Sequence, residues 1–142
     1  MALVPDDRVR QRVADARVGH LATLTADGRP HIVPFCFVLV DDVVYTAVDA
    51  KPKSTLELKR LDNMRSNPAV SVLVDHYDDD WSQLWWVRLD GDARVLEVDD
   101  DTTADERARA LHRLAEKYDQ YRRQPPPGAV IAIDIHHWTW WP

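Results

Sequence analysis

Apolar positions recur along the chain at two periods. Between Pro5 and Arg17, Val9, Val13 and Ala16 fall on one face of a helix among arginines, with Asp6 or Asp7 placed to cap it and Gly19 to end it. His20 to Thr25 then reads as a strand, and Asp27-Gly28 between two apolar segments is a strong hairpin signal. Pro30 to Val40 is apolar on both faces, which predicts one long central strand buried on both sides. Asp41-Asp42 turns the chain into a further strand, Val43 to Val48. Helical spacing returns after Ser54-Thr55-Leu56-Glu57, which fits a capping box, and Asn67-Pro68 stops that helix.

The second half repeats the alternation. Val70, Val72 and Val74 mark a strand from Ala69 to Asp75, and an acidic loop from Tyr77 to Gln83 carries Trp81. Leu84 to Val98 is a long strand interrupted by Gly91, which predicts a bulge or corner. Thr103 to Glu106 fits a second capping box. Its helix runs to about Tyr121, with Ala104, Ala108, Leu111, Ala115 and Tyr118 as the apolar stripe, and Pro125 to Pro127 break it. Val130 to Ile135 is the last strand. Six strands joined mostly by hairpins, with two to three helices at the connections and no βαβ alternation, predict a small antiparallel barrel of mainly β (α+β) class.

Length fits this picture: 142 residues suit one domain spanning 1–142, with 45% apolar and 30% charged residues, an ordinary globular balance. No apolar run approaches the ~20 residues of a membrane span, and the N-terminus lacks the apolar core of a secretory signal, so a cytoplasmic protein is expected. The net charge of −6 argues against nucleic acid as a partner. That charge is uneven. From Lys51 to Arg65, five basic residues face two acids, a local +3 inside an acidic chain, which suits a small anionic ligand.

Several chemistries drop out. Four glycines, at 19, 28, 91 and 128, cannot build a dinucleotide fingerprint or a phosphate loop. The lone Cys36 lies in an apolar strand and reads as an inert core thiol. His136 and His137 are adjacent on a strand, so they face opposite ways and are poorly placed to share a metal. Asp78-Asp79-Asp80 lacks the Gly and bidentate Glu of a calcium loop. Six tryptophans are more than one monomer's surface carries comfortably, which predicts burial at a subunit interface or around a flat ligand.

The stretch Gly19-His-Leu-Ala-Thr-Leu-Thr-Ala-Asp-Gly-Arg-Pro-His, the buried strand after it, and a basic turn entering a helix that ends Asn63-x3-Asn67-Pro68-x-Val70 resemble the flavin/deazaflavin oxidoreductases. These are split β-barrel proteins related to pyridoxamine 5'-phosphate oxidase. Val74-Asp75-x4-Asp80-Trp81-Ser82 resembles the branch that uses the deazaflavin coenzyme F420. The resemblance implies a six-stranded antiparallel split barrel, a homodimer holding the coenzyme at the subunit interface, and hydride transfer to a small organic substrate. FMN is the alternative cofactor, and a coenzyme carrier without turnover is the alternative role.

The resemblance also implies site residues. A Lys or Arg three positions before the helix Asn binds the coenzyme phosphate in similar proteins; here that is Arg60, with Lys59 beside it. The turn before the helix adds Lys53, Ser54 and Thr55. Trp81 lines the coenzyme site, and His31, Val33, Pro34 and Phe35 supply the wall beside its ring system. Other roles remain open to these residues: Ser54 as a plain N-cap, Arg60 as a partner of Asp62 or Asp75, Trp81 as a seam residue, and His31 as a strand-edge histidine.

Overall fold

The computed structural model describes residues 4–48 and 55–142, excluding the side chains of 55–58. Helix α1 (Asp7–Asp15) is followed by β1 (Gly19–Leu24), β2 (Pro30–Phe35), β3 (Val38–Val40) and β4 (Val43–Ala47). Then come α2 (Thr55–Ser66), β5 (Ala69–His76), a 3-10 turn at Trp81–Gln83 and β6 (Trp85–Leu96). A second 3-10 turn at Asp101–Thr103 leads into α3 (Ala104–Lys117), α4 (Asp119–Arg123) and β7 (Val130–Trp141). The seven strands form one antiparallel sheet in the order β2-β1-β5-β6-β7-β4-β3.

That order forces the sheet to curl. β2 and β3 occupy opposite edges, yet only Cys36 and Phe37 separate them in sequence. A flat seven-stranded sheet would hold its edges roughly 29 Å apart, whereas three peptide units reach at most about 11 Å. The edges therefore meet along a seam that no backbone ladder between β2 and β3 closes. This is a split barrel.

The long strand expected over Pro30 to Val40 is thus two edge strands, which raises the count from six to seven. The reason lies in the peptide groups at the crossing. The Thr46 hydroxyl donates to the Cys36 carbonyl (2.8 Å), the Phe37 N–H donates to the Tyr118 hydroxyl (3.1 Å), and Lys117 Nζ donates to the Phe37 carbonyl (2.9 Å). Side chains, rather than a neighbouring strand, satisfy the backbone there. Burial pushes the Lys117 ammonium down to about 8, with the Arg17 charge adding to the effect. β2 is also not buried on both sides, since Pro30, Ile32 and Pro34 are exposed. An edge position is where a strand tolerates two prolines.

Two apolar clusters follow from the alternation. Leu21, Val72, Leu89, Ile131 and Ile133 point into the barrel, where α1 adds Val9 and Val13 and α2 adds Leu61 and Met64. Asp6 caps α1 by accepting from the Val9 N–H at 2.9 Å. The second cluster lies on the outside of β4 and β7, where Tyr45, Ala47 and Val130 meet Ala110, Leu114, Tyr118 and Tyr121 of α3 and α4. The α3 stripe is therefore rotated from the one expected: Ala104 and Ala108 are exposed. The second capping box does not form either. Thr103 makes no side-chain cap, and the Asp100 carboxylate instead accepts from the Thr102 N–H at 3.0 Å.

Glu106, freed from capping, anchors α3 to the sheet. Arg94 donates to both its oxygens (3.0 and 2.9 Å) and, through Nε, to Asp134 (2.6 Å), while Tyr45 Oη donates to Glu106 at 2.7 Å. Arg94 first, then the Tyr45 hydroxyl, holds the Glu106 carboxyl down to about 2 against the opposing effect of burial. Burial, then Glu106, pushes the Tyr45 phenol up to about 12. A depressed carboxyl contributes stability above its unfolded pKa and loses it as pH falls towards the folded value. Glu106→Gln is therefore expected to cost about 1–2 kcal/mol at pH 6, the screened value for a partly exposed site. Urea unfolding of both proteins at pH 6 and pH 3 checks this: the gap should narrow at the lower pH, and a pH-independent gap would contradict it.

Gly91 sits where expected, at an irregularity. The β6–β7 register shifts between Asp90 and Gly91: Asp90 pairs with His137 and Gly91 with Ile135, leaving His136 as the extra residue. The bulge breaks the alternation at this point. His136 and His137 are both exposed, rather than one in and one out.

Candidate functional site

The outer face of the barrel is covered only in part. α3 and α4 cover β4 and one end of β7, while the outward residues of β2, β1, β5 and the other ends of β6 and β7 carry no layer among the described residues. Ile32 (65% exposed), Leu73 (37%) and Trp141 (57%) stand on this face. Exposed apolar groups gathered on one face mark a surface that meets something else.

One end of the barrel is cationic. On the inward side of the β1–β2 hairpin, Thr23 is paired with His31, Leu21 with Val33, and Gly19 with Phe35. Thr23 is buried and accepts from Asn63 Nδ2 of α2 at 3.3 Å. Arg60 is half-buried one helical turn before Asn63, so both fall on the same side of α2. Lys59 is exposed and lies near the hairpin tip: its charge, after the hydrogen bond from Thr25 and the backbone N–H of Asp27, helps hold the Asp27 carboxyl below its ordinary value. His31 is half-buried, and its Nδ1 is buried with no hydrogen-bond partner among the described residues. An orphaned buried nitrogen costs about 1–3 kcal/mol unless something outside the chain bonds to it.

Of the residues expected at the site, Arg60 shares the Asn63 side of α2, Lys59 lies near the hairpin tip and His31 stands opposite Thr23, whereas Val33 pairs with Leu21 and packs against the barrel core. Pro34 does not join His31 and Val33: it is on the outward face, opposite His20, and exposed. Lys53 and Ser54 lie outside the described residues. Thr55 opens α2, but its side chain is outside the description as well. Asp62, one of the partners considered for Arg60, lies 3.5 Å from Arg65.

Trp81 is elsewhere. Ala22 pairs with Ser71, and β5 then runs to His76 before the loop that carries Trp81. Five further residues of strand, roughly 17 Å, separate the level of Ala22 from the start of the loop that carries Trp81. A single chain therefore does not bring Trp81 to Arg60. The order of residues does not show this, because Arg60 lies on α2 and Trp81 in the β5–β6 loop, and only the sheet register fixes where the two stand.

Trp81 is 75% exposed, and its 3-10 turn is capped by Asp80, which accepts from the Ser82 N–H at 3.0 Å. Beside it, the β5–β6 hairpin forms an apolar groove of about 510 Å³ lined by Leu73, His76, Tyr77, Trp85, Trp86 and Arg88, among others. The His76 and Trp85 rings stack with centroids 6.2 Å apart. Volume and lining suit a flat organic ligand. The signal was present in the sequence as Trp85-Trp86 opposite Asp75-His76-Tyr77, but reading it required the hairpin register His76↔Trp85.

Fold and site together define a split-barrel protein whose cationic rim and aromatic groove lie at opposite ends of one sheet. The chain belongs to the pyridoxamine 5'-phosphate oxidase family, whose model matches residues 5–142. Among solved structures it is similar to a conserved hypothetical protein from Mycobacterium tuberculosis, at 20% identity and a TM-score of 0.75, over 99% of this chain and 86% of that one. It is also similar to an FAD-binding protein from Mesorhizobium loti (24%, TM-score 0.66, 96% and 94%) and to a heme storage protein from Vibrio cholerae (16%, TM-score 0.70, 99% and 94%). At these identities the structures share the fold. No curated protein matches the chain. No helix among the described residues is long and apolar enough to cross a membrane.

Proposed function

We propose that this chain is a homodimeric oxidoreductase that binds coenzyme F420 at the subunit interface and transfers a hydride between the reduced deazaflavin and a small organic acceptor. The observation that carries the reading is the separation of two half-sites on one sheet. Cations and the orphaned His31 Nδ1 stand at one end, and the exposed Trp81 beside an aromatic groove stands at the other. Two copies packed face to face about a two-fold axis would bring one copy's cationic end against the other's aromatic end, which is the geometry of an isologous interface. The same packing would cover Ile32, Leu73 and Trp141.

The donor set fits such a coenzyme. Arg60 and Lys59 suit its phosphodiester, His31 Nδ1 offers a polar contact, and Trp81 offers an apolar plane for its ring system. When bound, the deazaflavin supplies the hydride chemistry. The chain's own residues hold the charged tail, orient the ring and keep water from it. F420 ranks above FMN because its phosphodiester and carboxylate tail suit a wide basic entrance, to which the sequence adds Lys51 and Lys53. FMN, with one terminal phosphate, would require a single tight pocket.

Fluorescence titration of both coenzymes, together with light scattering, tests this. F420 is expected to bind more tightly than FMN, to a species of twice the 16.4 kDa chain mass. Equal or stronger FMN binding would move the assignment to an FMN-dependent oxidase or reductase of the same family. A monomer at micromolar concentration would remove the composite site. Oxidation of bound reduced F420 by a panel of unsaturated acceptors separates an enzyme from a carrier.

A further inference from the structure

The second apolar cluster leaves a cavity that the site above does not use. Where α3 passes the end of the β3–β4 hairpin, Val40, Tyr45 and Ala110 form the floor of a pocket of about 400 Å³, with Ala108 at its mouth. Its rim is Arg109, His112 and Arg113. Ala108 is exposed, and with only a methyl group it leaves the mouth open.

The charge around this pocket is what gives it chemistry. From Arg107 to Arg113 the chain has four basic or histidine residues and no acid, within a protein of net charge −6. Glu106, one turn away, is held by Nη1 and Nη2 of Arg94 and by the Tyr45 hydroxyl. Arg107 donates to the Gly128 carbonyl at 2.7 Å instead. Glu116 is the competing carboxylate; it stands 3.6 Å from Arg113 Nε and 3.7 Å from His112 Nε2, all three side chains being exposed. Arg109 flanks the pocket and makes no ion pair within 4 Å among the described residues, although its charge reaches Glu106 and the Tyr45 phenol. An apolar floor beneath guanidinium groups suits a ligand that has an apolar body and one carboxylate, because the fork of an arginine matches a carboxylate's two oxygens.

We infer that this pocket is a binding site for a small organic anion of the arylcarboxylate kind, separate from the coenzyme site. It does not depend on the proposed function, since none of its lining residues belongs to the cationic rim or the aromatic groove.

Calorimetric titration with 1-naphthoate tests it, using 1-naphthalenemethanol as the uncharged counterpart. One naphthoate should bind per chain, and the alcohol at least about tenfold more weakly. Arg109→Gln/Arg113→Gln should weaken naphthoate at least about tenfold, and Ala108→Phe, which fills the mouth, should abolish binding. Both residues replaced with Gln and the Ala108 position are exposed, so thermal melts should match the parent protein. Saturating FMN or F420 should leave naphthoate affinity unchanged. No saturable binding at about 1 mM, equal affinity for acid and alcohol, binding untouched by these substitutions, or displacement by either coenzyme would each overturn the assignment. The last outcome would place naphthoate in the coenzyme site and leave the coenzyme reading standing.

Discussion

Gly91→Ala should destabilise the protein by about 3 kcal/mol, the upper part of the range for inserting a methyl group into a packed interior. A Cβ built at Gly91 would lie 2.3 Å from the Asp134 carbonyl oxygen, 3.0 Å from its carbon and 3.1 Å from Ile133 Cγ2. The first two atoms are backbone, so no rotamer change relieves the clash; β7 itself must move. β6 and β7 form the longest ladder, 12 residues each, and both apolar clusters draw side chains from them. Moving one against the other therefore disturbs the barrel interior and the α3 contact together. Gly28→Ala is the comparison: Gly28 has φ +82° but nothing within 4 Å of an added Cβ, so only backbone strain of about 1–2 kcal/mol is expected. Urea unfolding at one fixed protein concentration measures both, because an associating protein's stability depends on concentration. A Gly91→Ala protein within 1 kcal/mol of the parent, on the order of a surface change, would show that the bulge yields freely.

The second large effect concerns coenzyme binding. Arg60→Ala should weaken F420 by about 1.5–3 kcal/mol, the range for a hydrogen bond to a charged group, which is roughly ten- to a hundredfold in affinity. Part of that loss should shrink as salt rises, since a half-buried contact to a phosphodiester is partly screened. Trp81→Ala should also weaken binding, but with little dependence on salt, because it acts through apolar contact. Neither residue is buried in the core, so thermal melts should stay close to the parent's.

The two variants together test the composite site. If each site takes Arg60 from one copy and Trp81 from the other, mixing the two variant proteins restores sites with both residues intact. Random exchange would leave about one quarter of sites at parental affinity. A mixture that binds only as the average of its components would mean that no site spans two copies. A Trp81→Ala protein that melts far below the parent would make Trp81 structural, and Arg60→Ala binding like the parent would reduce the basic stretch to a solvated helix face.

Much of this was legible in the order of residues, and the physical reason is that it is local. The Asp27-Gly28 hairpin, the alternation of Val70, Val72 and Val74, the Asp6 cap and the irregularity at Gly91 depend on neighbours within a few positions, so a linear pattern records them. The placement of Lys59, Arg60 and Arg65 on a helix was legible for the same reason, as was the family, through the spacing of motifs.

Tertiary structure alone decided the rest. An apolar run from Pro30 to Val40 cannot say that Thr46, Tyr118 and Lys117 will take the peptide groups at Cys36 and Phe37, so it cannot say that one strand becomes two edges of a split barrel. The helical period of α3 cannot choose between the Ala108 and Ala110 faces; Arg94, reaching Glu106 from a strand, helps fix that rotation. Nor can the sequence show that Arg60 and Trp81 stand at opposite ends of a sheet. Strand direction and register place them, and both are set by contacts between residues far apart in the chain.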